Sequence, residues 1–316
     1  MKRLFFIAFS LLAYSKVAYA QTLRQVYVGD ILSATVTSFY IAIEKGFFKE
    51  QGLEIKLVRM PGDVMVRAVT SGNVAFGTAF SSGALGAASG LPVKIVVGML
   101  QKPIFTLYAR PESRVIRTRD LKGKKVGVTG FGTATDHAAR TILRHHGLEP
   151  GRDVVLIPLK SVPNLLAGMQ SGSVDAAILF PPYSFRAEKA SMVKLDYLGD
   201  ILEMPNSGIF TSDNILKKDR ELVRKFLSAT VKGIAFLLND RQKDQTIELM
   251  MNYFKLEKYA AEASYHFIKS VHTTNGILNE TSMKKFIEVG LMEEHKNKRV
   301  EDIFAFGPLK EILETR

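Results

Sequence analysis

Apolar and polar positions alternate in short runs, and between the runs they take helical spacing. In 24–30, Val26 and Val28 share one face of a strand. The small polar stretch 33–38 reads as a loop. Residues 39–50 read as a helix in which Ile43 and Phe47 share a face and Gly52 marks the end. A strand follows at 53–59. Pro61-Gly62-Asp63 opens a helix running to Ser71, with Asp63 as its N-cap. Then come a buried strand at 74–79, a short helix opened by Ser81-Ser82-Gly83, and a strand at 93–99. The plan restarts at 125–129 as a strand. It continues through a loop at 130–135, a helix at 136–146 ended by Gly147, a strand at 154–158, a helix at 162–170, a strand at 174–180, a helix at 183–190 and a strand at 192–198. Strands alternating with helices at this spacing predict βαβ units and parallel sheets. After Pro205, the segments 219–238, 242–254, 258–270 and 281–288 have helical spacing and little strand signal.

The two halves also share wording. Ser71-Gly72-Asn73-Val74, running to Phe80, reappears as Ser171-Gly172-Ser173-Val174, running to Phe180, an offset of 171 − 71 = 100. Val26-x-Val28 matches Val126-x-Val128 at the same offset, and Gly52-Leu53-Glu54 is echoed by Gly147-Leu148-Glu149. Solenoid repeats run about 20–50 residues, so this period points to two similar α/β lobes. The expected division is 21–103 with 206–316 as lobe one and 104–205 as lobe two, the helical tail packing on lobe one. The chain would cross between lobes near 102–109 and again near 201–210, and two crossings make a hinge. A cleft between lobes is a preferred place for a small ligand.

The N-terminus departs from this pattern. Lys2-Arg3 precedes an apolar run over 4–13, and Ala18-Tyr19-Ala20 is a small-x-small site, cut before Gln21. This is the layout of a secretory signal peptide over 1–20. No later run is long and uncharged enough to span a bilayer. The chain has no cysteine, which excludes thiol enzymes, cysteine-held zinc or iron–sulfur centres and a lipid-modified N-terminal cysteine. A periplasmic protein without a lipid anchor is expected.

With 316 residues, 47% hydrophobic and 23% charged, the composition is that of a globular protein of about two domains. The formal charge of +12 becomes 12 − 3 = +9 without Lys2, Arg3 and Lys16. The densest basic group, Arg114 to Lys125, falls in a polar connector and reads as a solvated loop. Its dispersal, together with export, argues against a nucleic-acid partner. There is no Gly-x-Ser-x-Gly elbow. The six histidines form no i, i+4 metal pair and read as exposed or capping residues. Gly127-x-x-Gly130-x-Gly132 lacks dinucleotide spacing. No catalytic residue, metal or cofactor is expected.

Binding is better represented. Ligands of open α/β sheets sit beyond the carboxyl ends of the strands. The turns there are 33–38, Ser81-Ser82, 130–135 and Pro181-Pro182, three of them built from Ser, Thr and Gly. Such turns present helix N-terminal N–H groups, and Thr37, Ser81, Thr133 and Thr135 add hydroxyls. Ordinary helix capping is the competing reading of each turn. Phe39, Tyr40, Phe80, Phe131, Phe180 and Tyr183 flank them, suggesting apolar pocket walls.

Ala42-x-x-x-Gly46-Phe47-Phe48-x-x-x-Gly52-Leu53-x-Ile55 resembles the first helix and second strand of periplasmic substrate-binding proteins of ABC importers. The branch is the one serving nitrate, sulfonates, taurine and thiamine-pyrimidine precursors. Leu121-x-Gly123-Lys124-x-Val126-Gly127-Val128 is similar to that family's entry into its second domain. The resemblance implies a two-lobed Venus-flytrap α/β fold with the ligand at the interlobe hinge, no catalysis, and delivery to an ABC permease. It places the pocket at Thr35, Thr37, Ser38 and Phe39; at Ser81 and Ser82; at Gly132, Thr133 and Thr135; at Phe180, Pro181 and Tyr183; and at Ser207 and Gly208, with the flanking Phe80 and Phe131 added as expected apolar walls. The pocket candidates lack an evident carboxylate, so a small organic, anionic or aromatic solute is expected, and a monomer. Two departures are visible: Thr37-Ser38-Phe39 where many members have a proline, and Phe180-Pro181-Pro182 where many have Trp-Glu-Pro. An enzyme on the same bilobal fold, of the thiamine-pyrimidine synthase type, is one alternative. That resemblance would require a cysteine-rich motif, which is absent. A ligand-sensing periplasmic protein is the other.

Overall fold

The computed structural model describes residues 22–291 and 293–315. The signal peptide expected over 1–20 lies outside them. The first half forms β1 (Arg24–Asp30), α1 (Thr37–Glu44), α2 (Phe47–Glu50), β2 (Leu53–Arg59), α3 (Gly62–Ser71), β3 (Phe76–Gly77), α4 (Phe80–Ala88) and β4 (Val93–Leu100). The second forms β5 (Thr106–Ala109), β6 (Lys125–Val128), α5 (Ala134–His145), β7 (Val155–Pro158), α6 (Val162–Ser171), β8 (Ala176–Leu179), α7 (Tyr183–Lys189), β9 (Val193–Tyr197) and α8 (Leu198–Ile201). The tail is β10 (Ser207–Ser212), α9 (Asp213–Lys218), α10 (Arg220–Leu238), α11 (Lys243–Phe254), α12 (Lys258–Val271), α13 (Glu280–Lys285), α14 (Val300–Ile303) and α15 (Gly307–Glu314). No helix among the described residues is long and apolar enough to cross a membrane.

Two five-stranded sheets result, ordered β2-β1-β3-β10-β4 and β7-β6-β8-β5-β9. The orders superpose element for element, with β10 and β5 in the same slot. The repeat seen in the sequence is therefore a repeat of architecture: two lobes, each a mostly parallel sheet flanked by helices. Helices α3 and α6 stand 100 residues apart, and each ends on a left-handed glycine, Gly72 (φ 83°) and Gly172 (φ 78°). A Cβ carries a steric cost in that conformation, which explains the matching Ser-Gly pairs.

Both crossings hold a strand that the sequence reading left as connector. β5 runs antiparallel to β8 and β9, and β10 antiparallel to β3 and β4. Every residue of both is buried. A strand covered on both faces shows no alternation, so nothing marked it. Other boundaries also move. The helix expected over 39–50 begins at Thr37 and is broken by left-handed Gly46 (φ 75°). The strand expected over 74–79 shrinks to Phe76–Gly77. Pro61, not Asp63, occupies the N-cap position of α3, with no side-chain cap bond; Asp63 sits in the first turn and pairs with Arg67 at 3.0 Å. The helix expected over 281–288 gives way to a π turn at Phe286–Gly290.

The tail packs on lobe one as expected. Phe226 of α10 stacks on Phe76 with ring centroids 3.7 Å apart. A Cβ on Gly233 would lie 2.1 Å from the Ser38 carbonyl oxygen, so glycine is what lets α10 approach α1. The tail also reaches lobe two. Phe267 of α12 packs edge-on against Phe185 and Tyr197, and Lys189 pairs with Glu257 at 3.4 Å.

Candidate functional site

At the carboxyl ends of the lobe-one strands, three turns converge on a cavity of about 200 Å³. Ile31 and Thr35 come from the turn after β1, Thr78 to Ser82 from the turn after β3, and Asn206 and Ser207 from the second crossing. Ser33 caps the first turn by accepting from the Thr35 N–H. The Ser207 hydroxyl donates to the Thr35 carbonyl at 3.1 Å, tying the crossing to that turn. Gly62 opens α3 beside them; a Cβ there would lie 2.2 Å from the Ser82 hydroxyl, so the N-termini of α3 and α4 meet only because it is glycine. The Ser81 and Ser82 hydroxyls make no hydrogen bond among the described residues. The Phe80 N–H donates to the Thr78 carbonyl at 3.1 Å, but the Ser81 and Ser82 N–H groups have no intrahelical acceptor. The wall therefore offers several unspent donors.

Of the positions expected here, Thr35, Phe80, Ser81, Ser82 and Ser207 line this cavity. Thr37, Ser38 and Phe39 do not. All three are fully buried behind it, because α1 starts two residues earlier than expected and turns this face inward. Thr37 donates to the Ala34 carbonyl at 2.6 Å, and Phe39 packs on Phe48 and Phe226. Gly208 is interior to β10, where a Cβ would lie 2.1 Å from the Val97 carbonyl oxygen. Phe80 is buried too, its ring edge-on to Phe286 at 5.3 Å.

The lobe-two positions form a separate group and do not line this cavity. The Thr135 hydroxyl lies 2.8 Å from that of Thr129 and 3.0 Å from that of Thr133, and it accepts from the Thr129 N–H. Thr133 caps α5, and the Gly132 N–H donates to Asp136, which pairs with Arg140 at 3.0 Å. These groups are largely spent on one another. Phe131, between Gly130 and Gly132, is 62% exposed. Phe180 is half-buried, edge-on to Phe105 at 5.5 Å. Pro181 and Tyr183 are half-buried beside it, with the Arg186 guanidinium 5.1 Å from the Tyr183 ring centre.

Sequence reasoning missed Ile31, Gly62, Thr78, Ala79 and Asn206 in the lining, and two buried groups behind it. Asp30 ends β1 fully buried. Its carboxylate accepts from the Tyr40 hydroxyl (2.6 Å) and the Leu32 N–H (3.1 Å), and the Arg59 Nε lies 3.3 Å from its other oxygen. Burial, helped by the Asp30 charge, pushes the Tyr40 phenol well above its ordinary range. A carboxylate at the carboxyl end of the first strand was the available signal. His272 is buried, contrary to the exposed or capping role expected. Its Nδ1 faces the Thr273 carbonyl at 2.8 Å and its Nε2 the Ser38 hydroxyl at 3.0 Å. Burial pushes its pKa down to about 4. Among the described residues, no group of three or more His, Cys, Asp or Glu side chains is placed to hold a metal ion.

The profile of the family described as NMT1/THI5 like matches residues 33–244. The chain is 26% identical over 239 residues to the riboflavin-binding protein RibY of Chloroflexus aurantiacus, covering 73% of this chain and 66% of that one. It is 30% identical over 230 residues to the 4-amino-5-hydroxymethyl-2-methylpyrimidine phosphate synthase THI13 of Saccharomyces cerevisiae, covering 65% of this chain and 64% of the synthase. In both cases the chain spans a little under two thirds of the relative's length. Among solved structures, the periplasmic aliphatic sulphonate binding protein SsuA of Escherichia coli superposes with a TM-score of 0.71 at 20% identity, over 84% of this chain and 85% of that one. That likeness speaks for the fold. By the profile match over two thirds of its length, and on a two-lobed periplasmic-binding-protein fold, this chain belongs to the NMT1/THI5-like family.

Proposed function

We propose that this chain is the exported solute-binding component of an ABC importer. Lobe one (21–103 and 206–316) and lobe two (104–205) close on a small organic solute, and the loaded protein delivers it to a permease. The observation that carries the reading is the lobe-one cavity. Five of the expected positions converge there, with the Ser81 and Ser82 hydroxyls unspent and the Ser81 and Ser82 N–H groups without an intrahelical acceptor. Such donors suit an acceptor-rich head: a sulfonate, a carboxylate or a pyrimidine ring nitrogen. Closure would bring Phe131, Gly132, Thr133 and Tyr183 over the solute, and the exposed Phe131 ring supplies an apolar face for an aromatic part. The population of the closed form follows from contacts the ligand makes to both lobes. The protein works in the periplasm as a monomer.

The test is a thermal-shift and calorimetric screen of the protein from residue 21 against sulfonates, aromatic carboxylates, pyrimidines, riboflavin and nitrate. A ligand at a hundredfold its Kd adds about 2.7 kcal/mol of stability. Ser81→Trp should fill the cavity and abolish the shift. A screen in which nothing binds, or a ligand that ignores Ser81→Trp, would refute the reading.

The 30% identity to a named synthase favours a second reading, an enzyme of pyrimidine synthesis on this fold. Its sign would be formation of a pyrimidine phosphate, followed by mass spectrometry, on incubating the protein with a cell extract. A binder that returns its ligand unchanged speaks for transport.

A further inference from the structure

A larger cavity, about 480 Å³, lies on the flank of lobe one, between the start of α10 and α15. Buried Val223 and Ile312 line it, with Leu216 and Pro308 as further apolar walls. Its polar lining is Arg220, Arg224, Glu311 and Thr315. The two arginines stand one turn apart on α10. Neither makes an ion pair or a hydrogen bond among the described residues. The acids beside them in the chain have other ion-pair partners: Asp219 pairs with Arg24, and Glu221 with Lys225 at 2.8 Å, the Arg224 charge acting on Glu221 only at longer range. Thr315 spends its hydroxyl on the Glu311 and Ile312 carbonyls.

This placement works against the helix itself. The first turns of a helix are its positive end, where cations are unfavourable. Like charges at i, i+4 repel as well. Two guanidiniums there, neither in an ion pair among the described residues, stand over an apolar floor in a cavity of the size that holds small molecules, about 300–1,000 Å³. Among the described residues, the charges on its lining sum to two arginines minus one glutamate, or +1. One monoanionic head neutralises that sum, and the guanidinium fork matches an oxyanion.

We propose that this cavity is a second ligand site, separate from the cleft, for an amphipathic monoanion: an oxyanion head on Arg220 and Arg224 and an aliphatic tail over Val223 and Ile312. The head could be a carboxylate or a sulfonate, and parallel titrations with octanoate and octanesulfonate distinguish them.

The experiment is calorimetric titration of the protein from residue 21 with those two probes, with acetate (head without tail) and octylamine (tail with the opposite charge) as controls. At least one probe should bind with one-site stoichiometry, and the controls should bind at least tenfold more weakly. Arg220→Gln with Arg224→Gln should weaken the probe at least tenfold. Leu216→Asp, which puts a negative charge on the half-buried wall, should do the same. Ser81→Trp, which blocks the cleft, should leave probe binding within twofold. Absence of binding by both probes, equal binding by octylamine, indifference to the arginine and Leu216 variants, or loss on Ser81→Trp would each overturn the proposal. Only the last of these would assign the probe to the cleft, so failure here and failure of the transport reading are separable.

Discussion

His272 makes the stability of this protein depend on pH below neutrality, and the size of the effect follows from its surroundings. The ring is buried, bonded to the Ser38 hydroxyl and the Thr273 carbonyl, with its pKa pushed down to about 4 from 6.5. Above about pH 6.5 the ring is neutral in the folded and unfolded chains alike. As pH falls below that value, the unfolded chain takes up a proton that the folded one refuses, so stability drops until the folded ring titrates near pH 4. At about 1.36 kcal/mol per pH unit, the interval amounts to about 3 kcal/mol in all, of which about 2 kcal/mol is already lost at pH 5.0. The perturbation is His272→Gln, whose amide spans part of the ring and does not titrate. Urea unfolding at pH 7.5 and 5.0 should show the variant losing about 2 kcal/mol less than the wild type between the two conditions, whatever its stability at pH 7.5. The other histidines and all carboxylates are common to both proteins and cancel in the comparison. Parallel losses, within about 0.5 kcal/mol, would refute the argument and mean that the folded ring takes its proton as readily as the unfolded one.

Three further substitutions have defined outcomes. Gly208→Ala drives a methyl group to 2.1 Å from the Val97 carbonyl oxygen in the β10–β4 ladder and to 3.0 Å from the Phe80 ring; denaturant melts should show a loss of about 1–3 kcal/mol, and a variant as stable as wild type would contradict the packing. Thr133→Val removes the α5 cap and one corner of the threonine cluster, which should cost about 1 kcal/mol and raise amide exchange in the first turn of α5; unchanged exchange there would show that the cap contributes nothing. Phe267→Ala empties the aromatic contact between α12 and lobe two, where each ring pair contributes about 0.5–1.5 kcal/mol. Small-angle scattering of the ligand-free variant should report a changed angle between the lobes, and a curve identical to wild type would mean that α12 does not hold that angle.

What could be read ahead of the structure was what the chain encodes locally. The left-handed glycines at Gly72 and Gly172 each answer a single φ requirement, so the duplication was visible as repeated Ser-Gly pairs, and from it the two lobes. The strands carrying the crossings were invisible for the opposite reason. Thr106–Ala109 and Ser207–Ser212 are strands because neighbours on both sides complete their hydrogen bonding, and with both faces covered neither alternates. The same distinction divides the candidate site. A hydroxyl-rich turn ahead of a helix is recognisable by composition, but whether its hydroxyls are free is settled by geometry. Ser81 and Ser82 keep theirs unspent, whereas Thr129, Thr133 and Thr135 close on one another. Ser38 looked like a ligand-facing hydroxyl until a histidine 234 residues later in the chain claimed it. Composition therefore locates the turns that can bind. Which of their atoms remain available depends on partners far along the chain, and that is why Asn206, unremarkable in the sequence, lines the pocket while Phe39 is packed into the core behind it.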